Sequence, residues 1–69
     1  MKGKINMIVK LVQKQFRFER VYECITYHSY GLTQWALVLP SGAVTFYAKS
    51  RWDLYKYTKE GFEKDEQTL

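Results

Sequence analysis

Apolar and polar positions divide the chain into four extended stretches and one helical one. Ile5 to Val12 (INMIVKLV) alternates, so that Met7, Val9 and Leu11 share one face and Asn6, Ile8, Lys10 and Val12 the other. Phe16 to Tyr27 (FRFERVYECITY) alternates at both ends, while Phe18, Val21, Tyr22 and Ile25 also fit helical spacing. Its aromatic and β-branched content, with no helix cap ahead of it, favours a strand with a bulge near Arg20. Gln13-Lys14-Gln15 stands where a turn is needed but holds no Gly, Pro, Asn or Asp to enforce one.

The strongest local pattern runs from Gln34 to Gly61. Thr33–Leu39 (TQWALVL) and Val44–Ala48 (VTFYA) flank Pro40-Ser41-Gly42, which predicts a β-hairpin. Two registers are open. Pairing Leu39 with Val44 sets Leu37 against Phe46 and Trp35 against Ala48, and places six apolar residues on one face. A three-residue loop with Gly42 as a bulge pairs Leu39 with Ala43 and turns Val44 and Phe46 to the opposite face. The continuous apolar face favours the first register, with Trp35 and Phe46 in the core. The turn chemistry slightly favours the second.

After the hairpin, Ser50 reads as an N-cap with Asp53 at the capping-box position. Trp52, Tyr55 and Phe62 follow near-helical spacing, and Gly61 suits a helix stop. These signals predict a helix over Arg51–Glu60. The expected fold is therefore α+β: a small, mainly antiparallel sheet of three to four strands with one C-terminal helix packed on one face. Residues 1–62 would form one compact domain and residues 63–69 an acidic, disordered tail.

Charge sharpens this picture. The net charge of +4 hides a body of ten Lys or Arg against three acids up to Lys59, followed by one Lys against four acids. Lys10, Lys14, Arg17 and Arg20 form one basic group, and Lys49, Arg51, Lys56 and Lys59 another. Such donors neutralise phosphates, and exposed Tyr47 and Tyr57 could stack on unpaired bases. Lys14-Gln15-Phe16-Arg17-Phe18 resembles the basic-aromatic strand of cold-shock proteins over five residues, without that family's glycines. Three strands and a helix, with Trp35-Ala36 in the middle strand and Phe46 before the helix, are similar to three-stranded DNA-binding domains of integrase-arm type. That resemblance implies reading the major groove through the exposed sheet face, which here would show Ala36, Val38, Thr45 and Tyr47 and no arginine.

The remaining residues narrow the chemistry. One cysteine, Cys24, excludes an intramolecular disulfide and fits a reducing cytoplasm. On a strand Cys24 and His28 would stand about 13 Å apart, too far for a nucleophile and its base. Glu19 and Glu23 sit between arginines as a solvated face. No metal-ligand spacing or phosphate loop is present, so no enzyme, cofactor or metal is expected. The longest apolar run, Met7–Val12, is broken by Lys10 and too short to span a membrane, and no secretory leader is expected. Twelve aromatics exceed what one small core can bury, which predicts a homodimer. The expected function is a non-enzymatic accessory or regulatory module that contacts nucleic acid through a basic-aromatic surface. The alternative is a protein–protein module, such as a phage or mobile-element modulator of a host protein, or a homo-oligomeric structural protein.

Overall fold

A computed structural model of the chain describes residues 6–65. Seven strands follow one another: β1 (Met7–Gln13), β2 (Glu19–Cys24), β3 (Thr26–Tyr30), β4 (Gln34–Val38), β5 (Val44–Ala48), β6 (Trp52–Thr58) and β7 (Gly61–Lys64). They form two antiparallel sheets, ordered β2-β1-β6-β7 and β3-β4-β5. The fold is all-β. No helix among the described residues is long and apolar enough to cross a membrane.

The two sheets face each other across a core of Val9, Leu11, Cys24, Trp35, Leu37 and Leu54. Alternation along β1 delivers Val9 and Leu11, with Met7 packed beside them, as the pattern predicts. One residue, Ile25, carries the chain from the first sheet to the second, and its amide donates to the Val38 carbonyl at 2.8 Å. The interruption read as a bulge near Arg20 is this crossover, five residues later. The return crossing is Lys49–Arg51, where the Arg51 amide donates to the Ala48 carbonyl at 3.0 Å. Tyrosine hydroxyls close the two seams between the sheets. Tyr22 and Tyr47 bond to each other on one side. On the other, Tyr27 donates to Asp65 at 2.5 Å.

The expected helix over Arg51–Glu60 is overturned, because this segment is β6 and the turn into β7. Trp52 and Leu54 point inward while Asp53 and Tyr55 point outward, a period of two that the three helically spaced aromatics obscure. A ten-residue helix gains little from propensity alone. As a strand, the segment pairs with the free edge of β1 from Val9↔Lys56 to Gln13↔Trp52 and sets Leu54 against Leu11. Ser50 caps nothing and lies in the corner. Gly61 does take a left-handed φ, 105°, but at the β6–β7 turn, where Thr58 pairs with it. The tail boundary expected after Phe62 falls inside β7: Glu63 pairs with Lys56, and the Asp65 amide donates to Leu54 at 2.8 Å. Residues 66–69 lie outside the described residues, as do Met1 to Ile5.

The preferred hairpin register is overturned as well. Leu39 donates to Ala43 at 2.8 Å and Gly42, at φ 96°, donates to Leu39 at 2.9 Å. This is the three-residue loop with a glycine bulge, and Pro40 occupies its first turn position. Val38 therefore pairs with Val44 and Ala36 with Phe46. Trp35 is in the core as expected. Phe46 is not: it lies on the outer face and is 50% exposed. The local turn geometry outweighs the gain from one continuous apolar face.

Candidate nucleic-acid interface

One end of the molecule gathers cations and bare aromatics. Between β1 and β2 the chain reverses through Lys14–Arg17, held by Arg17 N–H to the Gln13 carbonyl at 2.8 Å and Gln13 N–H to Phe18 at 2.7 Å. Arg17 closes this turn in the left-handed region, φ 63°, a conformation glycine or asparagine would adopt more cheaply. Phe16 and Phe18 flank it, each 61% exposed, with ring centroids 5.9 Å apart. Solvation of two large rings at a hairpin tip is unfavourable unless something covers them.

The tip is fixed to the corner before β6 through Lys14 N–H to the Arg51 carbonyl at 2.8 Å. Between them lies a cleft of about 350 Å³ lined by Gln13, Lys14, Gln15, Ser50 and Arg51. Arg20, opposite Leu11 on β2, lies over the Trp52 ring at 5.9 Å. Arg17, Arg20 and Arg51 have no acidic partner within ion-pair distance among the described residues. Lys14 reaches Asp53 at 3.7 Å, but Lys64 shares that carboxylate at the same distance. Glu19, the other acid nearby, is engaged by Lys10 at 3.9 Å. The end therefore keeps an excess of positive charge beside two exposed rings.

The structure divides the two basic groups differently from their order in the sequence. Lys14 and Arg17 share the β1–β2 turn, Arg51 lies across the cleft from Lys14, and Arg20 stands apart over the Trp52 ring. Lys10 stands apart on the outer face of the first sheet, its ammonium 4.6 Å from the Phe62 ring centroid. Lys49 turns to the second sheet, over the Trp35 ring at 4.6 Å and bonded to Ser29. Lys56 and Lys59 are exposed at the far end of β6, roughly 20 Å from Arg51 along a strand of this length. Tyr47 is not a stacking surface. It packs edge-on to Trp52 at 5.2 Å, its hydroxyl meets Tyr22, and burial together with that bond pushes its pKa up to about 12. Tyr57 is exposed but folded against Phe62 at 5.0 Å, away from the cleft. Phe16 and Phe18 are exposed aromatics that the expected set leaves out, although the basic-aromatic run Lys14–Phe18 marks them.

Chemistry elsewhere is sparse. The Cys24 thiol is in the core, where burial raises its pKa, and His28 is exposed on the outer face of the second sheet. Among the described residues no group of three or more His, Cys, Asp or Glu could hold a metal. Comparison with protein-family models, with curated proteins and with solved structures finds no match to this chain.

Proposed function

We propose that the chain is a non-enzymatic accessory or regulatory module of the cytoplasm that binds single-stranded nucleic acid at the β1–β2 tip. The observation that carries this reading is the pair Phe16 and Phe18, solvated on either side of Arg17 at the tip, with Lys14 in the same turn and Arg51 across the adjoining cleft. Bases of a single strand offer free faces for stacking on the two rings, and the cations neutralise the phosphates between them. The strained φ of Arg17 supports the same reading, since a cheaper turn residue would remove a cation from the tip. Two cations, Lys14 and Arg51, and the neutral hydrogen-bonding groups of Gln13, Gln15 and Ser50 line the cleft and suit a phosphate backbone that passes between the tip and Arg51.

The test is a salt series with single- and double-stranded polynucleotides. Four phosphate contacts give log K against log salt a slope of about −3 for single strands. Replacing Lys14, Arg17, Arg20 and Arg51 with glutamine flattens that slope, whereas the same change at Lys49, Lys56 and Lys59 leaves most of it. Phe16→Ala or Phe18→Ala weakens single-strand binding by about five- to hundredfold, the equivalent of about 1–3 kcal/mol per stacked base, and affects duplex binding less. Absence of any binding at about 50 mM salt and tens of micromolar protein would end this reading, because the electrostatic contribution is largest there.

A second reading, a protein-binding or self-associating module, is favoured by a separate surface. The outer face of the second sheet presents Thr26, His28, Tyr30, Gln34, Ala36, Val38, Val44, Phe46 and Ala48, with no lysine, arginine or acid among them.

A further inference from the structure

We infer that two copies of this chain join through the outer edge of β5, antiparallel about a twofold axis at Phe46, so that their three-stranded sheets become one of six strands. The inference does not depend on nucleic-acid binding.

The backbone pattern carries it. In an antiparallel ladder, hydrogen-bonded and non-hydrogen-bonded pairs alternate. Leu39 N–H donates to Ala43 at 2.8 Å at one end of the β4–β5 ladder, and Lys49 N–H donates to Thr33 at 2.8 Å at the other. Both bonds fix the same phase. Thr45 and Tyr47 direct their amides to β4, and Val44, Phe46 and Ala48 direct theirs away from it. Among the described residues no strand pairs with that outer edge. Among the described residues its one backbone bond is from Arg51 N–H to the Ala48 carbonyl at 3.0 Å.

Outward groups at 44, 46 and 48 are symmetric about Phe46, so the edge complements itself. A second β5 placed antiparallel with Phe46 opposite Phe46 exchanges both bonds between the two Phe46 residues. It also lets each Ala48 amide donate to the other copy's Val44 carbonyl. Those four bonds leave the occupied Ala48 carbonyl untouched. On the outer face the same register sets the two Phe46 rings opposite each other, with Val44 beside the other copy's Ala48, an apolar cross-strand arrangement. Val44 and Phe46 are 47% and 50% exposed and so have surface to bury.

Self-complementarity selects a second copy as occupant, and charge permits it at this edge. Each chain carries +4, so two copies meet most readily where neither presents a charge. β5 holds no charged residue, and neither does the outer sheet face beside it. It also lacks the lysine, proline or bulge with which monomeric proteins block such an edge. The contact is small, well below the roughly 1,200 Å² of a stable complex, so association belongs in the micromolar to millimolar range.

Sedimentation equilibrium without nucleic acid tests this from about 10 µM to about 1 mM, the range such an interface implies. The wild-type mass rises from 8.3 kDa toward twice that value. Phe46→Lys and Phe46→Glu each stay at the single mass, and an equimolar mixture of the two recovers the doubling, because the axis brings residue 46 against itself. A readout independent of any variant is amide exchange in the wild type: Phe46 and Ala48 slow on concentration, whereas Thr45 and Tyr47 do not change. A wild type that stays at 8.3 kDa to about 1 mM, leaving the edge for a foreign strand, overturns the inference. So does a doubled mass in either charged variant alone, a mixture that stays single, or a Phe46 amide whose exchange ignores concentration.

Discussion

Leu54→Ala tests the fold where it departs furthest from sequence expectation. Leu54 is fully buried, lies opposite Leu11 at the centre of the first sheet, and belongs to a strand paired on both sides. Truncating a buried leucine costs about 2–5 kcal/mol, the higher values applying where surroundings cannot collapse into the cavity. Ladders with β1 and β7 hold the backbone of β6 in place, so the upper half of that range, about 3–5 kcal/mol, applies. A chain of 69 residues has a total stability of only about 3–10 kcal/mol, so the variant loses a large part of it or unfolds. Equilibrium urea unfolding followed by the fluorescence of Trp35 and Trp52 measures the loss. With a slope of about 1 kcal/mol per molar for so small a domain, the midpoint falls by about 3 M or the folded baseline disappears. Tyr55→Ala is the control. It lies one residue on, on the outer face and only partly covered, and costs about 1 kcal/mol. A helix with Trp52 and Tyr55 inward would reverse the two costs. A loss below about 1 kcal/mol for Leu54→Ala, or a larger loss for Tyr55→Ala, refutes the strand.

Two further measurements probe the turns and the seams. Gly42→Ala meets no atom within 4 Å, so its cost comes from φ 96° alone and amounts to about 1 kcal/mol of unfolding free energy; an unchanged urea midpoint contradicts the bulged turn. Tyr47 ionises near 10.0 when unfolded and is held up to about 12 in the fold, first by burial and then by its bond to Tyr22. The raised value favours the neutral hydroxyl in the folded state, so this stability is complete below pH 10.0 and is lost as pH rises toward about 12. Burial and the Asp65 bond push Tyr27 upward too, adding to the same alkaline loss. The melting temperature should fall through that window, and Tyr47→Phe should make the fall shallower. A wild-type curve that stays flat there contradicts the buried tyrosine seam.

Much of the extended structure was legible because it is written in short-range alternation. Met7, Val9 and Leu11 declare the inner face of β1, and the two arms of the β4–β5 hairpin end within a residue or so of their turn signals. The expected helix rests on ambiguous local signals. Ser50, Asp53 and Gly61 are residues that serve a helix cap and a tight turn equally well, and Trp52 with Tyr55 satisfies helical spacing by accident. The deciding fact, an unpaired edge of β1 waiting for Leu54, sits forty residues away and has no local sign. The register failed in the opposite direction, because the wish to bury Phe46 was global and the bulge at Gly42 was local. For the candidate site, charge was visible and grouping was not. Arg51 reaches Lys14 only because β6 returns beside β1.

The surplus of aromatics is the most informative misfit, and its distribution separates the surfaces. Trp35 is in the core, and Trp52, Tyr22, Tyr27 and Tyr47 pack around it or close the seams, so five of the twelve serve folding. Tyr55, Tyr57 and Phe62 lie on the outer face of the first sheet, where the Lys10 ammonium sits over Phe62 and Tyr55. A cation at that distance gives those rings a partner within the chain. The other four form two pairs without one. Phe16 and Phe18 flank Arg17 in a turn that also holds Lys14, which suits bases and phosphates. Tyr30 and Phe46, 5.4 Å apart, sit on a face without charge, which suits another apolar strand. Opposite electrostatic settings for two similar ring pairs argue for two different ligands. Joining copies at β5 leaves the β1–β2 tips outside the new ladder, so the two surfaces can be occupied independently.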